Sequence, residues 1–133
     1  MSYSEIEYNA LTELVIKAAI EVHKELGPGL LESVYETCLL KLLSENGLRV
    51  KNQLKVPIVF RSEVLDKHFM LDILVNEVLV LEIKSIEKIL PIHEAQLVTY
   101  LKLSGKKLGL LINFNEELLK NGIRRKINGN FTE

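Results

Sequence analysis

The stretch VLVLEIKS, residues 78–85, decides how this chain is read. Four apolar residues, Val78 to Leu81, suit a strand covered on both faces. The run then continues into Glu82, Ile83 and Lys84. Side chains alternate along a strand, so Glu82 and Lys84 share one face while Ile83 points into the core with Leu79 and Leu81. Upstream, LDILV (71–75) is apolar apart from Asp72. A three-residue loop about Glu77 would set position 72 opposite position 82, so that Asp72, Glu82 and Lys84 meet on one face. A two-residue turn would place Leu81 there instead.

Two carboxylates at cross-strand distance repel each other unless something neutralises them. A divalent cation does this well, because Mg²⁺ takes hard oxygen ligands and retains several waters. Such an ion polarises a phosphoryl oxygen and activates water, and a neighbouring lysine can orient or deprotonate that water or hold the phosphate. The plainer interpretation is a salt bridge at a strand end, Lys84 with Glu82 or with Asp72, since three letters spaced E-x-K arise often by accident.

Outward from this hairpin the chain alternates between two periods. Residues 4–26 place Leu11, Leu14, Val15, Ala18, Ala19, Val22 and Leu26 on a helical template, with Ser4 and Glu7 as a capping box and Gly27-Pro28 as the stop. A second helix begins in GPGLLESVYETCLLKLLSENG, with an apolar stripe of Leu31, Val34, Cys38, Leu42 and Leu39. Leu54, Val56 and Ile58 then alternate as a strand, where Pro57 implies an edge or a bulge. RSEVLD reads as a turn region, and KHFMLDILV and VLVLEIK as two strands joined at Asn76-Glu77. PIHEAQLVTYLKLSG is a helix between Pro91 and Gly105 with Ala95, Val98 and Leu101 on its packed side. KLGLLINF is a buried strand, and the tail adds a helical turn and a short strand. The order α, α, β, β, β, α, β predicts an α/β fold with a mixed sheet flanked by helices.

The 133 residues fit one domain, 1–133, large enough for a core without metal or disulfide staples. A lone cysteine, Cys38, and an acidic N-terminus unlike a signal peptide fit a reducing, cytoplasmic compartment. No 18-residue apolar run proposes a membrane span. Net charge is −1, but residues 1–50 carry eight acids to four Lys/Arg whereas residues 99–133 carry three acids to seven Lys/Arg. Lys106, Lys107, Arg124, Arg125 and Lys126 in that basic end are candidates for phosphate-backbone contacts, or else a solvated surface. Two further groups have both a plain and a chemical reading. Glu32 is either a favourable charge at a helix start, with Tyr35 one turn on, or a third acid facing the site. His93, Gln96 and Tyr100 form either a solvated helix face or a contact to substrate and Lys84. His23 and His93 lack the company a zinc site needs.

The spaced motifs VHKELGPGLLESVYE, LDILV, LEIKS and HEAQLVTYLKLSGKKLGLLINF resemble the GxxExxY proteins, a small prokaryotic group placed in the PD-(D/E)XK nuclease superfamily, with Gly29, Glu32 and Tyr35 as the signature residues. The resemblance covers nearly the whole chain. It implies a restriction-endonuclease-like core, α-β-β-β-α-β, with a central mixed sheet of about four strands and an extra N-terminal helix. It implies Asp72 and Glu82 as Mg²⁺ or Mn²⁺ ligands, Lys84 as the catalytic lysine and Glu32 as the helix acid that completes the site. Gln96 and Tyr100 match a supporting Q-x-x-x-Y pattern. Leu71 stands where the superfamily's name has proline. The expected activity is metal-dependent hydrolysis of nucleic-acid phosphodiesters, with DNA as the substrate. The rivals are a non-catalytic nucleic-acid- or protein-binding module and a hydrolase of other phosphate esters. Sequence specificity would call for a partner or a homodimer.

Overall fold

The structure is a computed structural model, and it describes residues 3–131. Helix α1 (Glu5–Leu26) starts in the expected capping box: Glu7 N–H donates to Ser4 Oγ and Ser4 N–H to Glu7 Oε1. Helix α2 (Glu32–Glu45) follows the Gly27–Leu31 turn. Strands β1 (Val50–Phe60), β2 (Glu63–Val75) and β3 (Leu79–Lys84) are successive and antiparallel. Helix α3 (Pro91–Ser104) carries the chain across to β4 (Leu108–Asn113), which is parallel to β3 as a helical crossover allows. A 3₁₀ turn (Leu119–Gly122) leads to the antiparallel edge strand β5 (Ile123–Ile127). The sheet order is β1-β2-β3-β4-β5. The mixed sheet flanked by helices is as expected, with five strands rather than about four. No helix among the described residues is long and apolar enough to cross a membrane.

One face of the sheet is covered by α1 and α2. There Val15, Ala19, Leu39 and Leu43 pack on Ile73, Leu79, Leu81, Ile83, Leu110 and Ile112. The other face is covered by α3, with Leu97 and Leu101 on Leu74, Val80 and Leu111. Glycine at position 109 makes this approach feasible, because a Cβ there would stand 2.8 Å from Leu97 Cδ1.

Several helix faces differ from expectation. In α2 the buried row is Tyr35, Leu39 and Leu43, while Leu31 is 75% exposed, Val34 is exposed and Cys38 and Leu42 are only half-buried. Two i, i+4 rows one residue apart both look apolar, and Tyr35 decides between them: its ring stacks on Phe114 with centroids 4.5 Å apart. In α1, Leu14 and Leu26 lie outside the buried stripe. In α3, Leu97 and Leu101 pack while Ala95 is exposed. The turn expected over RSEVLD is confined to Arg61 and Ser62, and β2 begins at Glu63.

Candidate active site

The β2–β3 turn settles the register. Val78 N–H donates to the Val75 carbonyl across Asn76-Glu77, whose φ angles are +51° and +63°. Val78 is then an extra residue, and pairing resumes with Val75 against Leu79, Leu74 against Val80 and Ile73 against Leu81. The next step in that register sets Asp72 against Glu82. Glu82 and Lys84 lie on the α3 side, as Val80 does, and Ile83 lies in the opposite core.

Asp72 occupies a break in the pleat. Strand alternation would put Leu71 and Ile73 on one face. Leu71 instead joins the α3 cluster and Ile73 the α1/α2 cluster. Across the hairpin, Asn52 pairs with Ile73 and Leu54 with Leu71, but Gln53 between them drops out of the ladder with φ +48°. The break frees both carboxylate oxygens of Asp72 for specific partners. Ile83 N–H donates to Oδ2 at 2.8 Å. Gln53 Nε2–H reaches Oδ1 at 3.4 Å and Glu36 Oε1 at 2.9 Å, bridging the two acids.

Glu82 is 5% exposed, and its Oε1 is buried without a hydrogen-bond partner. Burial, followed by the charge and hydrogen bonding of the Asp72 side chain, pushes its pKa up to about 9. The Asp72 backbone and the Lys84 charge pull the other way and lose. Near neutral pH, with no cation bound, Glu82 is therefore a neutral acid beside Asp72. Lys84 is half-buried, and its ammonium group has no hydrogen-bond or ion-pair partner among the described residues. The plain salt-bridge interpretation of E-x-K is thus not what the chain forms.

Beyond Lys84, the buried Asn113 holds the chain in place. Its Oδ1 accepts from Ile86 N–H at 3.0 Å and its Nδ2 donates to the Ile86 carbonyl at 3.0 Å. Ser85 joins this strand end to the turn before α2: Oγ donates to the Leu30 carbonyl at 2.6 Å, and its N–H reaches Glu32 Oε2 at 3.3 Å. Glu32 therefore sits at the end of β3. Glu36, one turn further along α2, is bridged to Asp72 through Gln53. Its pKa is raised chiefly by burial, and also by the charges of Asp72 and Glu32, against the opposing bond from Gln53. Glu36, Gln53 and Asn113 escaped the sequence reading. Only Glu36 left a trace there, as an i, i+4 companion of Glu32.

Tyr100 stacks on Phe69 with centroids 4.4 Å apart. Its pKa is raised by burial and then by the charges of Glu82 and Asp72, so it borders the carboxylates. Gln96, one turn before it, is exposed. Tyr35 is not in this group. It is buried against Phe114, and its hydroxyl donates to the Gly27 carbonyl at 2.6 Å and accepts from Leu30 N–H at 3.1 Å. Gly29, at φ +97°, supplies the left-handed step in that turn. Tyr35→Phe is expected to lower unfolding free energy by about 1–3 kcal/mol, since it orphans a carbonyl and an N–H. Denaturant titration of both proteins measures it, and an unchanged midpoint would show the turn holds without the hydroxyl.

The five basic candidates are not brought to this group. Lys106 and Lys107 precede β4, at the end of the sheet opposite Lys84, about 17 Å away by strand rise. Lys106 Nζ donates to the Glu77 carbonyl, and Lys107 to Asn130. Lys126 pairs with Glu94 at 2.6 Å and Arg124 approaches the same carboxylate at 4.0 Å, holding Glu94 below the usual carboxylate range. Arg125, on the other face, donates to Asn9 Oδ1 at 2.7 Å. Charge clustered along the sequence has been distributed over two faces and an edge of the sheet.

Two adjoining carboxylates, one with a buried oxygen lacking any partner, form the donor set that a hard divalent cation takes. The residues fit such an ion. No group of three His, Cys, Asp or Glu among the described residues is arranged to hold a metal.

Residues 9–126 match the PD-(D/E)XK nuclease superfamily. Among solved structures, the crystal structure of SSO0001 is similar, with a TM-score of 0.50 at 21% identity over 92% of this chain and 60% of that one. The chain thus spans 60% of that protein, and at this identity the likeness concerns the fold alone. No curated protein matches the chain significantly.

Proposed function

The chain belongs to the PD-(D/E)XK nuclease superfamily, and on that premise we propose that it hydrolyses nucleic-acid phosphodiester bonds, with DNA as substrate, using Mg²⁺ or Mn²⁺ held by Asp72 and Glu82. The observation that carries this reading is the partnerless Oε1 of Glu82, buried beside a second carboxylate. Leaving a polar atom so costs on the order of 1–3 kcal/mol. A cation would remove that cost.

Asp72, oriented by Ile83 N–H and Gln53, and Glu82, fixed in the sheet, would hold the ion, with Glu32 on α2 in support. When bound, the ion polarises a phosphoryl oxygen and lowers the pKa of water. Lys84, without a hydrogen-bond or ion-pair partner among the described residues, holds the attacking water or the scissile phosphate and neutralises charge that grows on it. Tyr100 closes the α3 side of the site, and the exposed Gln96 contacts substrate. The Gly29, Glu32 and Tyr35 geometry also supports a GxxExxY-type protein. Tyr35 and Gly29 shape the turn that delivers Glu32 to Ser85.

A non-catalytic binding module is favoured by one observation, the absence of a three-ligand cage among the described residues. Labelled single- and double-stranded DNA and RNA, incubated with Mg²⁺ or Mn²⁺, separate the two. DNA is expected to be cut, and EDTA to stop the cutting. Binding that persists in EDTA without cleavage of any substrate would assign the module instead.

A further inference from the structure

The β1–β2 hairpin runs well past the rest of the sheet. Within β2 only Ile73, Leu74 and Val75 pair with β3. Residues 54–70 therefore form a two-stranded arm that departs at Asp72, from the end of the sheet where Glu82 and Lys84 stand. The inner face of the arm, including Leu54, Val56, Ile58 and Phe69, packs with Ile86, Ile89 and α3. Its outer face shows the exposed Lys55 and His68.

The tip has a different character. Val59, Phe60 and Val64 are 51%, 60% and 67% exposed. The Arg61 guanidinium lies over the Phe60 ring, 5.3 Å from its centroid. Arg61 and Ser62 hold φ angles of +51° and +69°. Asparagine and glycine serve such a turn at lower conformational cost, so turn stability does not account for the residues found here.

A second copy of the chain is a poor occupant. Three apolar side chains at the tip offer at most a few hundred Å², below the roughly 800 Å² per partner of a stable interface. Pro57 and the left-handed Gln53 also interrupt the free edge of β1, which blocks strand pairing between copies. An exposed ring under a guanidinium suits nucleobases, which stack on both groups and admit apolar wedges between steps. Three bases against two acids over residues 54–70 agree with a phosphate-lined partner. Nine strand rises from Glu63 to Asp72 span about 30 Å, close to the roughly 34 Å of one duplex turn.

We infer that the tip, residues 59–64, is a finger that contacts the DNA duplex about one helical turn from the bond addressed at Asp72 and Glu82, with Phe60 and Arg61 against the bases. This rests on the nucleic-acid reading above. Anisotropy titrations would compare wild type, Phe60→Ala, Arg61→Ala, the double variant and Phe60→Tyr on duplexes of about 10 and about 30 base pairs, in EDTA. The double variant is expected to bind the long duplex about 10-fold or more weaker and the short one as wild type does. Phe60→Tyr, which keeps the ring, should retain the affinity, and Arg61→Ala alone should weaken binding of the long duplex. The single variants carry the same test should the double one misfold. Unchanged long-duplex affinity in the variants, with wild type still cutting DNA, overturns the finger alone. A wild type that binds neither duplex overturns the finger, and one that also fails to cut DNA with Mg²⁺ or Mn²⁺ overturns the nuclease reading with it. Loss of a wild-type dimer on sedimentation, with DNA affinity intact, assigns the tip to a second copy and overturns the inference.

Discussion

Glu82→Gln is expected to make the metal-free protein more stable at pH 8 while abolishing its response to Mg²⁺. The amide copies the shape of the neutral acid and can donate to Asp72, so the packing is kept. In wild type, burial and the Asp72 charge raise the Glu82 pKa to about 9, against about 4.5 for an ordinary carboxyl. The native state therefore retains a proton that the unfolded chain releases. Its contribution is fully present below about pH 4.5 and is lost progressively as pH rises towards 9, so the stability of wild type falls across this window. At 1.36 kcal/mol per unit, the loss by pH 8 is on the order of 5 kcal/mol. Glu82→Gln carries no such term, and its thermal midpoint should be nearly flat with pH and several degrees above wild type at pH 8. Wild type with Mg²⁺ at about 100 times Kd should gain about 2.7 kcal/mol, and the variant none. The gain should be larger at higher pH, because the cation displaces the Glu82 proton. Melting curves from pH 5 to 9, with and without Mg²⁺, read all of this. A variant less stable than wild type at pH 8 would show that Glu82 is a structural ion rather than a ligand held in reserve.

That an acid ends this central strand opposite another was legible because three local signals agreed. The run Val78–Leu81 demanded a central strand, LDILV demanded another, and Asn76-Glu77 marked the turn between them. Only the loop length was open, and one extra residue, Val78, resolved it in favour of Asp72 opposite Glu82. Helix existence and caps were equally local, as Ser4 with Glu7 and Gly105 show. Helix faces were harder. Apolar rows one residue apart on α2 differ by a rotation of about 100°, and Tyr35 chooses between them through a contact 79 residues away in sequence, Phe114. Gln53 and Asn113 gave no local signal at all. Gln53 acquires its role from a break in the ladder opposite Asp72, and Asn113 from lying beside Lys84 on a parallel strand. The basic tail misled for a related reason. Alternation along β5 sends Arg125 to one face and Arg124 and Lys126 to the other, where Glu94 takes them up.

Lys84→Ala is expected to lower cleavage by about 10²–10⁴-fold while leaving Mg²⁺-induced stabilisation intact. Asp72→Asn is expected to lose both. The difference follows from their surroundings. Asp72 is held by Ile83 N–H and Gln53 and adjoins Glu82, as a cation ligand requires. Lys84 touches neither carboxylate by hydrogen bond or ion pair, so its removal disturbs no network and should change stability by less than about 0.5 kcal/mol. A side chain that contributes little to the fold and much to turnover is acting on the reacting groups. Lys84→Arg then divides its two roles. A guanidinium keeps the charge but does not release a proton. If Lys84 only neutralises the phosphate, the arginine variant recovers much of the rate. If Lys84 takes a proton from the attacking water, Lys84→Arg stays as slow as Lys84→Ala. Equal cleavage by wild type and Lys84→Ala under single-turnover conditions would remove Lys84 from the chemistry and leave the cation and its carboxylates to account for the rate.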